Sequence, residues 1–74
     1  MKIVKVFKTN VQDAATAGRI LRLLQQSFSQ CRINFDLDDC DRILRIESHQ
    51  FAVEEAHVQG LIASCGHYCE PLLD

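Results

Sequence analysis

Two cysteines and a histidine near the end of the sequence are the residues whose types and spacing could do chemistry. Cys65, His67 and Cys69 fall within five residues of one another. Thiolate and imidazole are the ligands that zinc and copper favour in proteins, and Cys40 could join them if the fold brings it to the same place. Free cysteine also commonly serves as a small buried apolar residue. The sequence leaves both interpretations open: cysteines that pack in the core, or a divergent metal or thiol site.

The polar loop from Thr9 to Thr16 is a second place where a ligand could bind. Asp13 and Thr16 offer one carboxylate and one neutral hydroxyl, and hard cations need several more oxygens than that. A carboxylate in the first turn of a helix is stabilised by the free amides and by the helix dipole. We therefore predict that Asp13 caps a helix and that this loop holds no metal.

Other motifs for binding or catalysis are incomplete. Asp36, Asp38 and Glu47 match three positions of a calcium-binding loop, but Asp41 stands where the sharp turn requires glycine. His57 has no nucleophile or carboxylate pattern around it and is interpreted as a surface histidine. The sequence lacks a glycine-rich phosphate loop, a nucleophile elbow and a paired-carboxylate motif. We predict a protein that is not an enzyme and has no cofactor, with zinc or copper entering only through the alternative cysteine site.

Composition limits the partners that the chain can recruit. Its 74 residues are 47% apolar and 24% charged, which is typical of a single globular domain spanning residues 1–74. The net charge of -2 provides no positive field for nucleic acid or an anionic membrane, and the predicted strand 42–47 has no aromatic residue on which RNA bases could stack. The start of the chain alternates charged and apolar residues, unlike a signal peptide. We expect a cytoplasmic protein with reduced thiols.

Hydrophobic periodicity predicts six elements that would position these residues. Alternation or strand-forming residues indicate strands at 2–9, 32–37, 42–47 and 68–72, and helical spacing indicates helices from about Asp13 to Ser29 and from about Phe51 to Ser64. Thr9 or Asn10 could cap the first helix and Ser48 the second. Gly66 is placed to end the second helix in a left-handed conformation.

This order of elements predicts an α+β, ferredoxin-like βαββαβ fold, with a four-stranded antiparallel sheet and both helices on one face. The first strand should be central, with Val4 and Val6 on the face away from the helices and Ile43 beside them. The topology should also gather the chemistry-bearing residues at one end of the sheet: Asp13, Thr16, Cys40, Cys65, His67 and Cys69.

The sequence resembles known proteins over nearly the whole chain, and three stretches carry this resemblance. Residues 7–11 and 65–72, together with the element order, resemble the heavy-metal-associated (HMA) domain family of copper and zinc carriers, and residues 36–45 resemble small bacterial proteins related to it. The resemblance implies a ferredoxin-like fold and a Met-x-Cys-x-x-Cys metal loop. Val11 matches the apolar anchor of that loop, whereas Asp13 and Thr16 replace its two cysteines. His67 replaces the aromatic residue that the family has after its late glycine.

The leading hypothesis is a small non-enzymatic interaction or regulatory module of HMA-like fold that lacks the usual metal site. It would form a homodimer or dock a protein partner through the open sheet face. One alternative is the divergent metal or thiol module at Cys65 and Cys69 with Cys40 or His67. Another is a small-molecule sensor of the ACT kind, which shares the topology and binds ligands between paired protomers.

Overall fold

A computed structural model describes residues 2–38, 40–49 and 52–72. The six predicted elements are present in the predicted order: β1 (Ile3–Thr9), α1 (Ala14–Ser27), β2 (Arg32–Asp36), β3 (Ile43–Ser48), α2 (Glu55–Ser64) and β4 (Cys69–Pro71). The alternation of apolar residues in the strands and their helical spacing in α1 predicted these elements to within a few residues.

The four strands form one antiparallel sheet in the order β2-β3-β1-β4. β1 is therefore central, and Phe7 lies opposite Leu44 on one side and Pro71 on the other. β4 forms one edge, so Pro71 lies in an edge strand, where its missing N–H is tolerated. This arrangement confirms the ferredoxin-like βαββαβ fold.

The two faces of the sheet differ in burial because side chains alternate along each strand. Phe7, Leu44 and Ile46 point toward the helices and are fully buried. They belong to one hydrophobic cluster that also takes in residues of both helices, including Ile20, Leu24, Val58 and Ile62. Within the part of the chain that the structure describes, one core between the sheet and the helices therefore holds the elements together.

The face away from the helices carries the predicted aliphatic residues, with one difference. Val4 is 42% exposed and Val6 is half-buried. Ile43 lies between Lys8 and Asp36 in the register of this face, but only 7% of it is exposed. Ile43 therefore lies on the predicted face beside the valines but adds little to its exposed apolar surface.

The first helix begins where a side chain can reach its free amides. Asp13 is the N-cap of α1, so capping by Asp13 is confirmed and capping by Thr9 or Asn10 is wrong. The Thr9 hydroxyl instead donates to the carbonyl of Arg42 at 2.6 Å, and Asn10 Oδ1 accepts from the Tyr68 N–H at 2.9 Å. Both residues precede the helix by too many positions to reach the amides of its first turn.

The second helix starts later than predicted. Ser48 is the last residue of β3, opposite Ile3, and α2 begins at Glu55 with Glu54 as an N-cap that makes no side-chain capping bond. The predicted start at Phe51 lies outside the described residues. Capping by Ser48 is wrong, because the strand pairing continues through this residue.

The predicted glycine stop of α2 is confirmed. Gly66 has a φ of 79°, its N–H donates to Ala63 O, and the N–H of His67 donates to Ile62 O. This pair of bonds is the Schellman motif, which satisfies the last carbonyls of a helix. Within the described residues, neither helix is long and apolar enough to cross a membrane.

Candidate functional site

The loop between β1 and α1 is closed by its own polar residues. The Thr16 N–H donates to Asp13 Oδ2 at 2.9 Å, and the Thr16 hydroxyl lies 2.8 Å from Oδ1 and 3.0 Å from Oδ2 of the same carboxylate. The backbone bond from Thr16 is the main reason that the pKa of Asp13 lies below its ordinary value, with the Thr16 hydroxyl second. Asp13 and Thr16 therefore satisfy each other's hydrogen-bonding groups.

Two neighbouring segments are tied to the exit of β1. The Thr9 N–H donates to the carbonyl of Asp41 at 3.1 Å, and the Thr9 side chain accepts from the Val11 N–H while donating to Arg42. Asn10 and Tyr68 exchange two bonds, since the Asn10 N–H also donates to Tyr68 O. The predicted meeting of the β2–β3 turn, the β1 exit and the segment before β4 is thus present.

The four cysteines are free thiols in different surroundings. Cys40 is exposed, Cys65 is half-buried as the C-cap of α2, and Cys31 is buried. Cys69 is only 3% exposed and lies opposite Thr9 in the sheet. Burial raises the pKa of the Cys69 thiol to about 11, which disfavours the thiolate that nucleophilic attack or metal binding requires.

The described residues include no group of three or more His, Cys, Asp and Glu side chains placed to hold a metal ion. This search covers Asp13, Cys40, Cys65, His67 and Cys69, because all five are described. His67 is close enough to Asp13 to contribute, as its weakest cause, to the lowered pKa of that carboxylate. The ring nitrogen Nδ1 of His67 is buried and has no hydrogen-bond partner.

The open sheet face has a small apolar centre with charged neighbours. Val4 and Val6 occupy β1, and the Leu72 N–H donates to Val6 O, which places Leu72 beside them. Tyr68 is 55% exposed, and its hydroxyl donates to Glu70 at 2.6 Å. Lys2 pairs with Glu47 at 3.5 Å across the same face.

A groove between α1 and the edge strand β2 was not anticipated from the sequence. It has a volume of about 470 Å³ and is lined by Ala14, Ala17, Gly18, Leu21, Asn34, Phe35, Asp36, Leu37 and Asp38. Small residues at helical spacing along α1 are the signal that could have indicated it, since they leave room beside the strand. Its polar rim includes the two aspartates, which make no ion pair with any described residue.

Arg42 was also missed by sequence reasoning. It has a φ of 51°, a left-handed conformation that is uncommon for residues other than glycine. Its guanidinium donates to the carbonyl of Leu37 at 2.8 Å, while its own carbonyl accepts from Thr9. These two bonds hold the β2–β3 turn against the exit of β1.

Comparison of the chain with protein-family models, with curated proteins and with solved structures finds no match. The HMA resemblance drawn from the sequence therefore stays a prediction.

Proposed function

We propose that this protein is a small non-enzymatic interaction or regulatory module of HMA-like fold, without the usual metal site, that acts by docking another protein or a second copy on its open sheet face. The observation that carries the proposal is the uncovered apolar centre of that face. Val4 is one of two large apolar side chains that are well exposed among the described residues, and Tyr68 is the other.

The composition of this face suits a protein contact. Interfaces commonly have an apolar centre within a polar rim, and tyrosine is enriched among their residues. Val4 and Val6 supply the centre here. Around them stand cross-strand neighbours of both signs, with Glu47 opposite Val4 and Arg45 opposite Val6. Charges of both signs favour a protein partner over nucleic acid or an anionic membrane.

The bonded side chains of the β1–α1 loop and the buried thiol of Cys69 support a role without catalysis or metal transfer. Asp13 is already bonded by Thr16, and the Cys69 thiol is buried with a raised pKa. Among the described residues, the side chains of the alternative site at Cys65, Cys69, Cys40 and His67 form no group of three placed to hold a metal ion. The expected cytoplasmic location, with reduced thiols, is part of the same proposal.

The test places a photo-crosslinking amino acid at Arg45, which is exposed on the open face, and follows adducts in cells of the source and with the purified protein. We expect a discrete adduct that Val4→Glu weakens by about tenfold or more, because a buried unpaired carboxylate strongly disfavours an interface. Ala52→Glu adds the same charge at an exposed position outside the strands and should leave the adduct unchanged. Absence of any adduct, or equal loss in both variants, would contradict the proposal.

A further inference from the structure

β2 is an edge strand, and among residues 2–38, 40–49 and 52–72 no strand pairs with its outer side. It is the first strand in the sheet order, and β3 covers only its other side. The opposite edge, β4, has three residues and ends in Pro71, which are features that protect an edge from further pairing. β2 has five residues and no proline. Of the two edges, β2 is therefore the one that can pair with another strand.

The hydrogen-bond pattern of β1 shows which residues of β2 face outward. The Leu72 N–H donates to Val6 O, and the Asn10 N–H donates to Tyr68 O, whereas the Thr9 N–H donates to Asp41 O. Even-numbered residues of β1 thus bond toward β4 and odd-numbered residues toward β3.

The same alternation can be followed across β3 into β2. Odd-numbered residues of β1 pair with even-numbered residues of β3, so the odd-numbered residues of β3, such as Arg45, bond toward β2. Arg45 lies opposite Asn34, so the even-numbered residues of β2 bond to β3. The N–H and C=O groups of Ile33 and Phe35 consequently point away from the sheet.

The side chains of β2 are complementary to those of a reversed copy of the same strand. Arg32 and Asp36 stand at its two ends, both exposed on the open sheet face. Neither makes an ion pair with another described residue. A second β2 that runs antiparallel about Asn34 places Arg32 opposite Asp36 of the second copy, and the two-fold axis repeats the pair. Opposite charges that face each other across strands stabilise the pairing.

We propose that a second copy of this chain pairs with β2 edge to edge, with Asn34 on the two-fold axis. Ile33 then lies opposite Phe35 of the second copy, and both residues present outward N–H and C=O groups. These two pairs form four backbone hydrogen bonds. The backbone directions and the charges agree on this one register, and the contact is isologous, as in most homodimers.

The groove beside β2 would add apolar contacts to this pairing. Phe35 and Leu37 are only half-buried in the single chain, and they line the groove together with Leu21. Nothing lies within 4 Å of a Cβ atom built at Gly18, so α1 leaves space next to the edge. A second copy that extends the sheet brings its own helix face to this space and covers these side chains.

This inference goes beyond the proposed docking on the open face and does not depend on it. Edge pairing would join two four-stranded sheets into one eight-stranded sheet. The two open faces would then lie side by side on one surface, which would enlarge the area available to a partner.

The test exchanges the charges at the two ends of β2. Arg32→Glu and Asp36→Arg should each weaken self-association by about tenfold or more, because two attractive pairs become repulsive and about 1.4 kcal/mol corresponds to tenfold. An equimolar mixture of the two variants should associate, since every pair between them is again attractive. Arg45→Glu makes the same charge change on the interior strand β3 and should leave edge pairing intact. Sedimentation velocity over a range of concentrations measures the self-association of the three variants and of the mixture.

A wild-type protein that stays monomeric at every concentration, or a mixture that fails to associate, would overturn the proposal. If the wild type associates but Val4→Glu and Arg45→Glu dissociate it while Arg32→Glu does not, the open face is the contact, which overturns edge pairing and supports the proposed function. Hydrogen exchange gives a second readout. The Ile33 and Phe35 amides should gain protection as protein concentration rises, and unchanged exchange in a sample that associates would exclude this edge.

Discussion

Asp13 shows how one residue can close the loop between β1 and α1. Its carboxylate accepts from the backbone and the hydroxyl of Thr16, so it serves the start of α1. Both oxygens of the Asp13 carboxylate accept hydrogen bonds within the loop. The sequence predicted this cap correctly, because the bond joins Asp13 to a residue only three positions later in the chain.

The lowered pKa of Asp13 predicts how stability depends on pH. The ordinary pKa of an aspartate is near 3.8, and the pKa of Asp13 in the folded protein is lower. The charged carboxylate therefore stabilises the fold at pH values above the unfolded pKa. This stabilisation is lost as the pH falls through the folded pKa. Asp13→Asn keeps an acceptor for Thr16 but removes the titration. The variant should be less stable than wild type at pH 7, and the difference should vanish in strong acid. Thermal unfolding of both proteins at a series of pH values from neutral into strong acid measures this difference, and a difference that stays constant with pH would contradict the assignment.

The helices contain two glycines that the packing does not require. Gly18 in α1 and Gly60 in α2 have open space where a side chain would begin. Alanine at either position should raise the free energy of unfolding by about 1 kcal/mol through helix propensity, and the melting temperature by about 4–8 °C. The two changes should add, because they lie in different helices. Calorimetry of the two single variants and the double variant tests this. A Gly18→Ala protein less stable than wild type would mean that the groove beside α1 requires glycine at this position.

At the scale of elements, the sequence predicted the strands better than the caps. Alternating apolar residues directly indicate a half-buried strand. The presence of β1, β2 and β3 and their order along the chain therefore followed from the pattern. Ser48 was misassigned as a cap because a serine before a helical pattern cannot reveal that strand pairing with Ile3 continues through it. The left-handed Arg42 and the outward backbone of β2 were not predictable in the same way. Both depend on hydrogen bonds between strands that are distant in sequence.

At the scale of the whole fold, the buried apolar side chains of the described residues form one hydrophobic cluster that includes two of the four thiols. Cys31 and Cys69 are both buried members of that cluster, whereas Cys40 is exposed and Cys65 half-buried. Small domains with one core usually unfold in a single cooperative step. A thiol reagent should therefore modify Cys40 rapidly and Cys65 more slowly, while Cys31 and Cys69 should react together at a rate set by global unfolding.

Mass spectrometry of protein quenched during labelling resolves the order in which the four thiols react. Subdenaturing urea should accelerate Cys31 and Cys69 by the same factor, because both report the same opening event. The Cys40→Ser variant serves as the control, since it should remove the fast phase and leave the slow phase unchanged. Labelling of Cys69 well ahead of Cys31 would show instead that the three-residue strand β4 opens by itself. In that case β4, and the cysteine that it carries opposite Thr9, would form a separate local unit rather than part of the cooperative core.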